Sequence, residues 1–477
     1  MSMFFDDLRP LSAGLPKIVV LTDIVRGSME RICRGIIGAG ADLKIICLNK
    51  AVYHYAEHDL ILEPITSELT DSGKSLHKKY LALAKFKLHK YPSRQAWTES
   101  SMFDVKLGGG LAAHSWFADA DLAFIGGAPG LFNYAAMRDT FNNKAAVYRL
   151  TVESAYTGYC LYSGGCEKWK DAGCKKCPQL GPSIDGSDLA AEIFSGKQVG
   201  YSGLNMAIVT PSKWMGQNVR DSLLLKDFPQ VTIPTSVNLE VYTPWPRELC
   251  RQNLGLPRER KVILFGAGTF RRNKGFQLLL ESLELLRGHW NNEAPMLAFF
   301  GQEAPVDCLP PGYDCVDLGY LDDTGKLAAA YAAADVFVSP SFQDNLPNTV
   351  NEALSCGTPV VCFDRFSSED VVLDGVNGYL PAHPGLPFAP DGSLLQDPIY
   401  SVTPDKLEDL AMKIKQTVEL PHDEYTAMRI RCRAKAIEDF SPVLQAARYL
   451  HLFRRMLGLS EVKISGLFDT KYDTSPD

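Results

Sequence analysis

Short, uninterrupted apolar runs recur along this chain, each separated from the next by a polar or glycine-containing stretch long enough for a helix. Lys17-Ile18-Val19-Val20-Leu21-Thr22 has the length of a strand covered on both faces, because a strand with one wet face would alternate apolar and polar residues. Residues 29–39 then read as a helix and Leu43-Lys44-Ile45-Ile46-Cys47-Leu48 as the next strand, which opens a βαβ series. Leu122 to Ile125, Ala145 to Tyr148 and Met206 to Thr210 continue it. A second series starts at Lys261-Val262-Ile263-Leu264-Phe265-Gly266, runs through Met296 to Gly301 and Val336 to Val338, and closes near Val360-Val361-Cys362-Phe363. The pattern predicts an α/β chain of two Rossmann-like, doubly wound halves, with a seam near Thr243-Pro244-Trp245-Pro246.

Length agrees, since 477 residues exceed what one ordinary core organises. No run of about twenty apolar residues occurs, and Met1-Ser2-Met3-Phe4-Phe5-Asp6-Asp7 lacks the basic-then-apolar order of a signal peptide, so a cytoplasmic protein is expected. A formal charge of -7 gives no footprint for nucleic-acid binding. One window departs from that balance. Residues 72–98 carry Lys74, Lys78, Lys79, Lys85, Lys87, Lys90 and Arg94 with no Asp or Glu, interleaved with Leu76, Tyr80, Leu81, Leu83, Phe86, Leu88, Tyr91 and Trp97. Two readings stay open: a basic amphipathic face for anionic lipid, peripheral at the inner face of the plasma membrane, or a solvated element whose lysine stems cover apolar surface.

The densest chemistry lies in Val338-Ser339-Pro340-Ser341-Phe342-Gln343-Asp344-Asn345-Leu346-Pro347-Asn348-Thr349-Val350-Asn351-Glu352-Ala353-Leu354-Ser355-Cys356-Gly357-Thr358-Pro359-Val360-Val361. It reads as strand, loop, short helix and strand, with Asp344 on the loop and Glu352 eight positions later in the helix. Pro347 suits the first helical turn and Gly357 the helix stop. The amides of that first turn favour an anion. Two carboxylates beside an anion site repel the anion itself and suit neutral hydroxyls flanking a phosphate, the layout of a sugar nucleotide. Either acid alone would more commonly be a turn former or a solvated helix residue; the joint spacing with proline and glycine is what points to a site.

This segment resembles the donor loop of the retaining glycosyltransferases called family four, with Asp344 where the first acid is more often Glu, and its wording is closer still to a bacterial exopolysaccharide subgroup. The resemblance implies the GT-B fold, two Rossmann-like domains facing a cleft. On it, residues 1–240 are the acceptor-side domain, with a cysteine-rich insert at 157–181. Residues 241–436 are the nucleotide-sugar domain, 437–462 a helix crossing back to the first domain, and 463–477 a loose tail. Pro381 to Ile399 reads as a loop insertion.

Gly266-Ala267-Gly268-Thr269-Phe270-Arg271-Arg272-Asn273-Lys274-Gly275 joins the first strand of the second series to its helix. As a small-residue turn with cations at the ligand end of a doubly wound sheet, it suits a pyrophosphate held by Lys274 with Arg271 or Arg272. It is neither a complete dinucleotide fingerprint nor a P-loop. The resemblance puts an Arg earlier, where Gly268 and Thr269 stand, so Arg271 or Arg272 must take that contact. Asp119-Ala120-Asp121 imitates a metal-binding pair but reads as a strand-entry turn. No metal is expected at sugar transfer, because lysine, arginine and helix amides can supply the positive field.

Cys160-x5-Cys166-x7-Cys174-x2-Cys177 crowds four thiols among glycines and lysines, a spacing that suits a tetrahedral structural zinc, with disulfides, free thiols or an iron–sulfur cluster as alternatives. The subgroup resembled has such an insert. It usually carries His-Asp-x-Trp before the insert, where this chain has Thr151, Val152, Glu153 and Ser154, and a His-Trp pair where this chain has Gly126-Gly127. His114 reads as a residue packed at a helix end.

The resemblance thus implies transfer of a sugar from a nucleotide-diphosphate sugar to a glycan or polyprenyl-linked acceptor, with retention and the leaving diphosphate helping to take the acceptor proton. Glu352 would hold the ribose and Asp344 the sugar hydroxyls. Lys274 with Arg271 or Arg272 would bear the leaving charge, helped by amides near Asn345, Asn348 and Thr349 and by the close backbone at Gly266. The missing histidine motif leaves a second expectation, a non-catalytic nucleotide-sugar-binding partner in a glycan assembly complex.

Overall fold

A computed structural model describes residues 8–15, 17–22, 28–47, 62–64, 90–91, 110–126, 134–142, 144–158, 160–270, 272–302, 312–386, 388–393 and 402–460. The chain divides into two compact units. Unit 1 comprises residues 1–234, 388–394 and 442–477, and unit 2 comprises residues 235–387 and 395–441. The boundary falls six residues before the one read from sequence.

Unit 1 is built on a seven-stranded sheet of order β3-β2-β1-β4-β5-β6-β7, from β1 (Ile18–Thr22), β2 (Leu43–Cys47), β3 (Leu62–Pro64), β4 (Leu122–Gly126), β5 (Ala145–Arg149), β6 (Met206–Thr210) and β7 (Gln230–Thr232). Every pairing is parallel. The continuous apolar runs follow from cover on both faces. Val19 and Leu21 of β1 join one core while Ile18 and Val20 join the other. Helix α1 (Ser28–Gly38) buries Met29, Ile32, Cys33 and Ile36, the spacing of one helical stripe. Helices α2 (Leu189–Tyr201) and α3 (Lys213–Asp221) are capped by Asp188 and Ser212, whose side chains accept from the amides of Ala191 and Met215.

Unit 2 has a six-stranded parallel sheet of order β10-β9-β8-β11-β12-β13, from β8 (Val262–Thr269), β9 (Met296–Gln302), β10 (Cys315–Asp317), β11 (Val336–Ser339), β12 (Val360–Cys362) and β13 (Gly378–Tyr379). Its longer helices are α4 (Arg247–Leu254), α5 (Phe276–Leu285), α6 (Thr324–Ala333), α7 (Asn348–Ser355), α8 (Pro404–Val418) and α9 (His422–Asp439). Strand order reverses between β8 and β11, so the turns leaving these two strands stand side by side at the carboxyl edge, where open α/β sheets bind ligands.

Two pieces of late sequence belong to unit 1. The expected C-terminal helix over 437–462 is split, since α9 ends at Asp439 and α10 (Pro442–Met456) follows. The apolar face of α10 completes the unit 1 core, with Tyr449 and Phe453 packed on Phe124 at ring separations of 5.0 and 5.6 Å. The second piece lies within the Pro381 to Ile399 insertion. Phe388 donates its amide to Gly164 O (3.0 Å), and the Glu167 amide donates to Pro390 O (2.7 Å), tying residues 388–393 to the cysteine-rich insert.

Of the basic window only Lys90 and Tyr91 are described, and the other residues of 72–98 lie outside the described residues. Lys90 is paired with Asp185 at 2.5 Å, and Tyr91 is buried with its hydroxyl bonded to Ser187 O and the Leu189 amide. Among the described residues no helix is long and apolar enough to cross a membrane.

Phe453 is fully buried, so Phe453→Ala should destabilise unit 1 by about 3–5 kcal/mol in chemical denaturation. A loss within the range of a surface substitution would show that α10 is not part of that core.

Candidate functional site

The first candidate site belongs wholly to unit 2. The β8 strand runs on to Thr269, so Gly266 lies inside it and not in the turn. Gly266 is a packing requirement, since a Cβ there would stand 1.9 Å from the Phe300 ring. The turn itself is the short helical segment Arg272–Lys274, followed by Gly275. Gly275 has φ +72°, and an added Cβ would fall 1.9 Å from Pro340 O. Only glycine lets the β8 turn come this close to the loop leaving β11. The Phe342 amide donates across the gap to Asn273 O (2.9 Å).

That approach sets Lys274 Nζ against Asp344 Oδ2 at 2.6 Å, with both side chains mostly covered. The other Asp344 oxygen accepts the Asn345 amide (2.9 Å). Pro347 stands one residue before α7 as its N-cap and gives no side-chain cap itself. Asn348 is exposed, Thr349 half-buried and Asn345 buried. Glu352 sits on the inward face of α7, 7% exposed, with Oε2 accepting from the Tyr331 hydroxyl of α6 (3.1 Å). Burial and the Glu352 charge push the Tyr331 hydroxyl well above its ordinary pKa, so it remains a donor. Arg271 lies outside the described residues, and Arg272 is described by its backbone alone. The structure therefore brings Lys274, Asp344 and the α7 N-terminus together, with Glu352 one turn and more along the helix.

His383 is a residue the sequence reading did not single out. Its Nδ1 accepts the Gly385 amide (3.0 Å), which leaves Nε2 to donate to Phe342 O (2.7 Å). Packed against Phe342, Phe363 and Phe366, its pKa is lowered by burial to about 4, so the neutral ring clamps the loop leaving β11 across the neutral pH range. A pocket beside the loop is lined by Ser341, Asp344, Pro347, Arg365 and Phe366, the last at φ +64°.

Unit 1 holds the second cluster. Cys160, Cys166, Cys174 and Cys177 are all buried and all unlinked by disulfides. Cys160 donates to Cys177, which lowers the Cys177 pKa with help from the Gln179 and Leu180 amides and raises that of Cys160 well above the usual thiol range. The Gly158 amide points at Cys174 Sγ (3.1 Å), and burial pushes that thiol up to about 12. Among the described residues no three His, Cys, Asp or Glu side chains form a group that could hold a metal ion. Cys160 and Cys177 are hydrogen-bonded to each other, and backbone amides point at Cys174 and Cys177.

The segment in place of His-Asp-x-Trp is firmly held. Buried Lys197 of α2 donates to Ser154 O (2.5 Å) and Thr157 O (2.7 Å), and Tyr201 donates to Ala155 O (3.0 Å). Glu153 turns inward, accepting the Ser163 amide on Oε1 (3.1 Å), while its own amide donates to Leu161 O (3.0 Å). Burial raises its pKa to about 7. His114 caps the short helix Ser115–Asp119, accepting the Trp116 amide. Asp119 pairs with Lys17 Nζ and Asp121 accepts the Lys17 amide, so this acidic pair is engaged at the turn leading into β4.

Cys177→Ser weakens the acceptor shared by Cys160, Gln179 and Leu180, and a loss of about 1–3 kcal/mol is expected. Metal analysis of the same wild-type preparation, with thiol counting after denaturation, decides between roughly one zinc per chain and four free thiols. For Glu153, the folded state keeps a proton that the unfolded chain loses near the ordinary glutamate value of 4.5, so the associated stability is full below that pH and is lost as pH rises through about 7. Glu153→Gln should flatten the stability curve in that window. An unchanged slope would assign the dependence elsewhere.

Residues 260–386 match the family model described as glycosyl transferases group 1. A D-inositol 3-phosphate glycosyltransferase of Xylanimonas cellulosilytica is 32% identical over 35% of this chain and 42% of its own length, so the chain spans about two fifths of that relative. A glycosyltransferase structure from Rickettsia africae covers 94% of this chain and 100% of its own at 13% identity and TM-score 0.60. Anabaena Alr3699/HepE, solved with UDP and glucose, covers 92% of this chain and 100% of its own at 12% identity and TM-score 0.56. The two parallel α/β units are thus those of the GT-B fold, and residues 260–386 carry the likeness to the glycosyl transferases group 1 family.

Proposed function

We propose that this protein is a hexosyl-type glycosyltransferase that takes a sugar from a nucleotide-diphosphate sugar and passes it, with retention, to a glycan or lipid-linked acceptor of surface polysaccharide synthesis. The observation that carries the proposal is the meeting of Lys274 and Asp344 at the switch point of the unit 2 sheet, beside the N-terminus of α7. A cation and helix amides suit the diphosphate, whereas Asp344 and Glu352, both acceptors, suit hydroxyls. An incoming diphosphate competes for Lys274, and the Asp344 oxygen it vacates becomes an acceptor for the sugar. Glu352, which accepts from Tyr331, would accept from the ribose. The likeness to a structure holding UDP and glucose supports a nucleotide-sugar donor.

One observation favours a second reading, that the chain binds a nucleotide sugar without transferring it. Glu153, which stands in the histidine motif's segment, is buried and committed to Ser163, so it offers no replacement for a histidine facing substrate. Incubation with UDP-, GDP- and ADP-sugars separates the two. Hydrolysis or transfer supports the enzyme, and saturable binding with neither supports the binder.

Glu352→Ala should weaken nucleotide binding about ten- to hundredfold, the equivalent of a charge-assisted hydrogen bond of roughly 1.5–3 kcal/mol, and Glu352→Gln should weaken it less. Lys274→Ala should lower turnover more than Glu352→Gln, because its charge acts on the leaving group. Nucleotide affinity unchanged in both Glu352 variants, with the fold intact by circular dichroism, would remove that residue from the site.

A further inference from the structure

The opposite edge of the unit 2 sheet carries a charge imbalance that the proposed donor site does not use. Asp335 is completely buried just before β11. Its Oδ2 accepts from Arg251 Nη2 (2.6 Å) and from the Val262 amide (2.8 Å). Arg251 is itself buried, its Nε donating to Ala333 O and its Nη1 to the carbonyls of Pro257, Arg258 and Arg260. That pair neutralises the carboxylate and closes the end of the sheet. Two more cations nevertheless converge on it. Arg247 Nη1 and Lys261 Nζ both reach Asp335 Oδ1, at 2.9 and 3.4 Å, with side chains 28% and 40% exposed. A third, Arg429, donates to the Tyr425 hydroxyl (3.4 Å), which also receives Arg247 Nη2 (2.9 Å). All three lie within 4.9 to 5.9 Å of the Tyr425 ring centroid.

Holding several cations together near one already satisfied carboxylate is unfavourable unless something compensates them, because at partly buried positions their repulsion is only weakly screened. The Tyr425 ring and water do part of this. A surplus of two to three positive charges with exposed N–H groups of both the forked and the point-like kind matches a tetrahedral dianion, which accepts on several oxygens; a monocarboxylate would neutralise less of it.

We propose that Arg247, Lys261 and Arg429 form a binding site for a phosphate group at the amino edge of the unit 2 sheet. It is separate from the donor loop, since Lys261 precedes β8 and Lys274 follows it, and the eight residues of that strand span roughly 26 Å at about 3.3 Å each. It does not depend on the glycosyltransferase reading.

Inorganic phosphate is the probe, titrated into the full chain by calorimetry at an ionic strength held constant with chloride. Lys274→Ala serves as the background that weakens phosphate capture at the donor loop. Saturable binding is expected to persist in Lys274→Ala and to weaken roughly tenfold when either Lys261→Gln or Arg429→Gln is added. Lys261 is the safer change because its side chain is the most exposed of the cluster's cations that touch Asp335. Circular dichroism checks that each variant is folded. Binding abolished by Lys274→Ala alone would place the phosphate at the donor loop. Affinity unmoved by both glutamine variants, or a response that chloride reproduces, would equally overturn the proposal.

Discussion

The close approach of two backbone turns at the carboxyl edge of the unit 2 sheet is the constraint on which the candidate site depends. Parallel pairing of β8 with β11 sets the turns side by side, but side chains would ordinarily keep them apart. Gly275 removes that obstacle, and the amide of Phe342 then crosses to Asn273 O. The Lys274–Asp344 pair follows from this geometry and does not create it. A partly exposed ion pair is worth only about 0–1 kcal/mol, which is too little to hold two loops together. The same weakness makes the pair exchangeable, so a stronger anion can take the lysine with little loss. His383 supports the arrangement from the other side, because a neutral ring with both nitrogens engaged holds Phe342 without adding a competing charge.

Legibility in the sequence follows from how each feature is encoded. The central strands were readable because strands covered on both faces appear as unbroken apolar runs, as at Ile18–Thr22 and Val336–Ser339. The edge strands Leu62–Pro64, Gln230–Thr232, Cys315–Asp317 and Gly378–Tyr379 have two or three residues each, too few for any period to show. Asp344 and Glu352 were readable because one loop and one helix carry both. Their partners come from elsewhere. Tyr331 left a faint trace as the single aromatic residue among the alanines of Thr324–Ala333, whereas His383 sits in a loop whose composition gives no hint of it. Gly266 was misplaced because small residues suggest a turn, while here they make room for the Phe300 ring beside a continuing strand.

Unit 1 shows a different use of polar burial. The segment from Ser154 to Thr157 presents its carbonyls to the Lys197 ammonium and the Tyr201 hydroxyl, so the end of the short 3-10 turn Glu153–Ala155 and the residues after it have these carbonyls satisfied. Glu153 extends that network into the insert by accepting from Ser163, and Gln179 reaches the carbonyls of Tyr162 and Ser163 from the insert's far end. With Gly164 O and the Glu167 amide committed to residues 388–393, the insert is braced from three directions.

Two buried carboxylates in unit 2 are held in different ways. Asp335 meets guanidinium, ammonium and amide groups, and at 0% exposure it has no approach for a ligand. Its charge is used in closing the sheet. Glu352 is held by a neutral hydroxyl whose own ionisation is suppressed by burial and by the carboxylate beside it. A hydroxyl that stays protonated always donates, so it fixes the position of the carboxylate oxygen that accepts from it. The two acids are similarly buried; cations close on Asp335 as an ion, and a donor hydroxyl fixes one oxygen of Glu352.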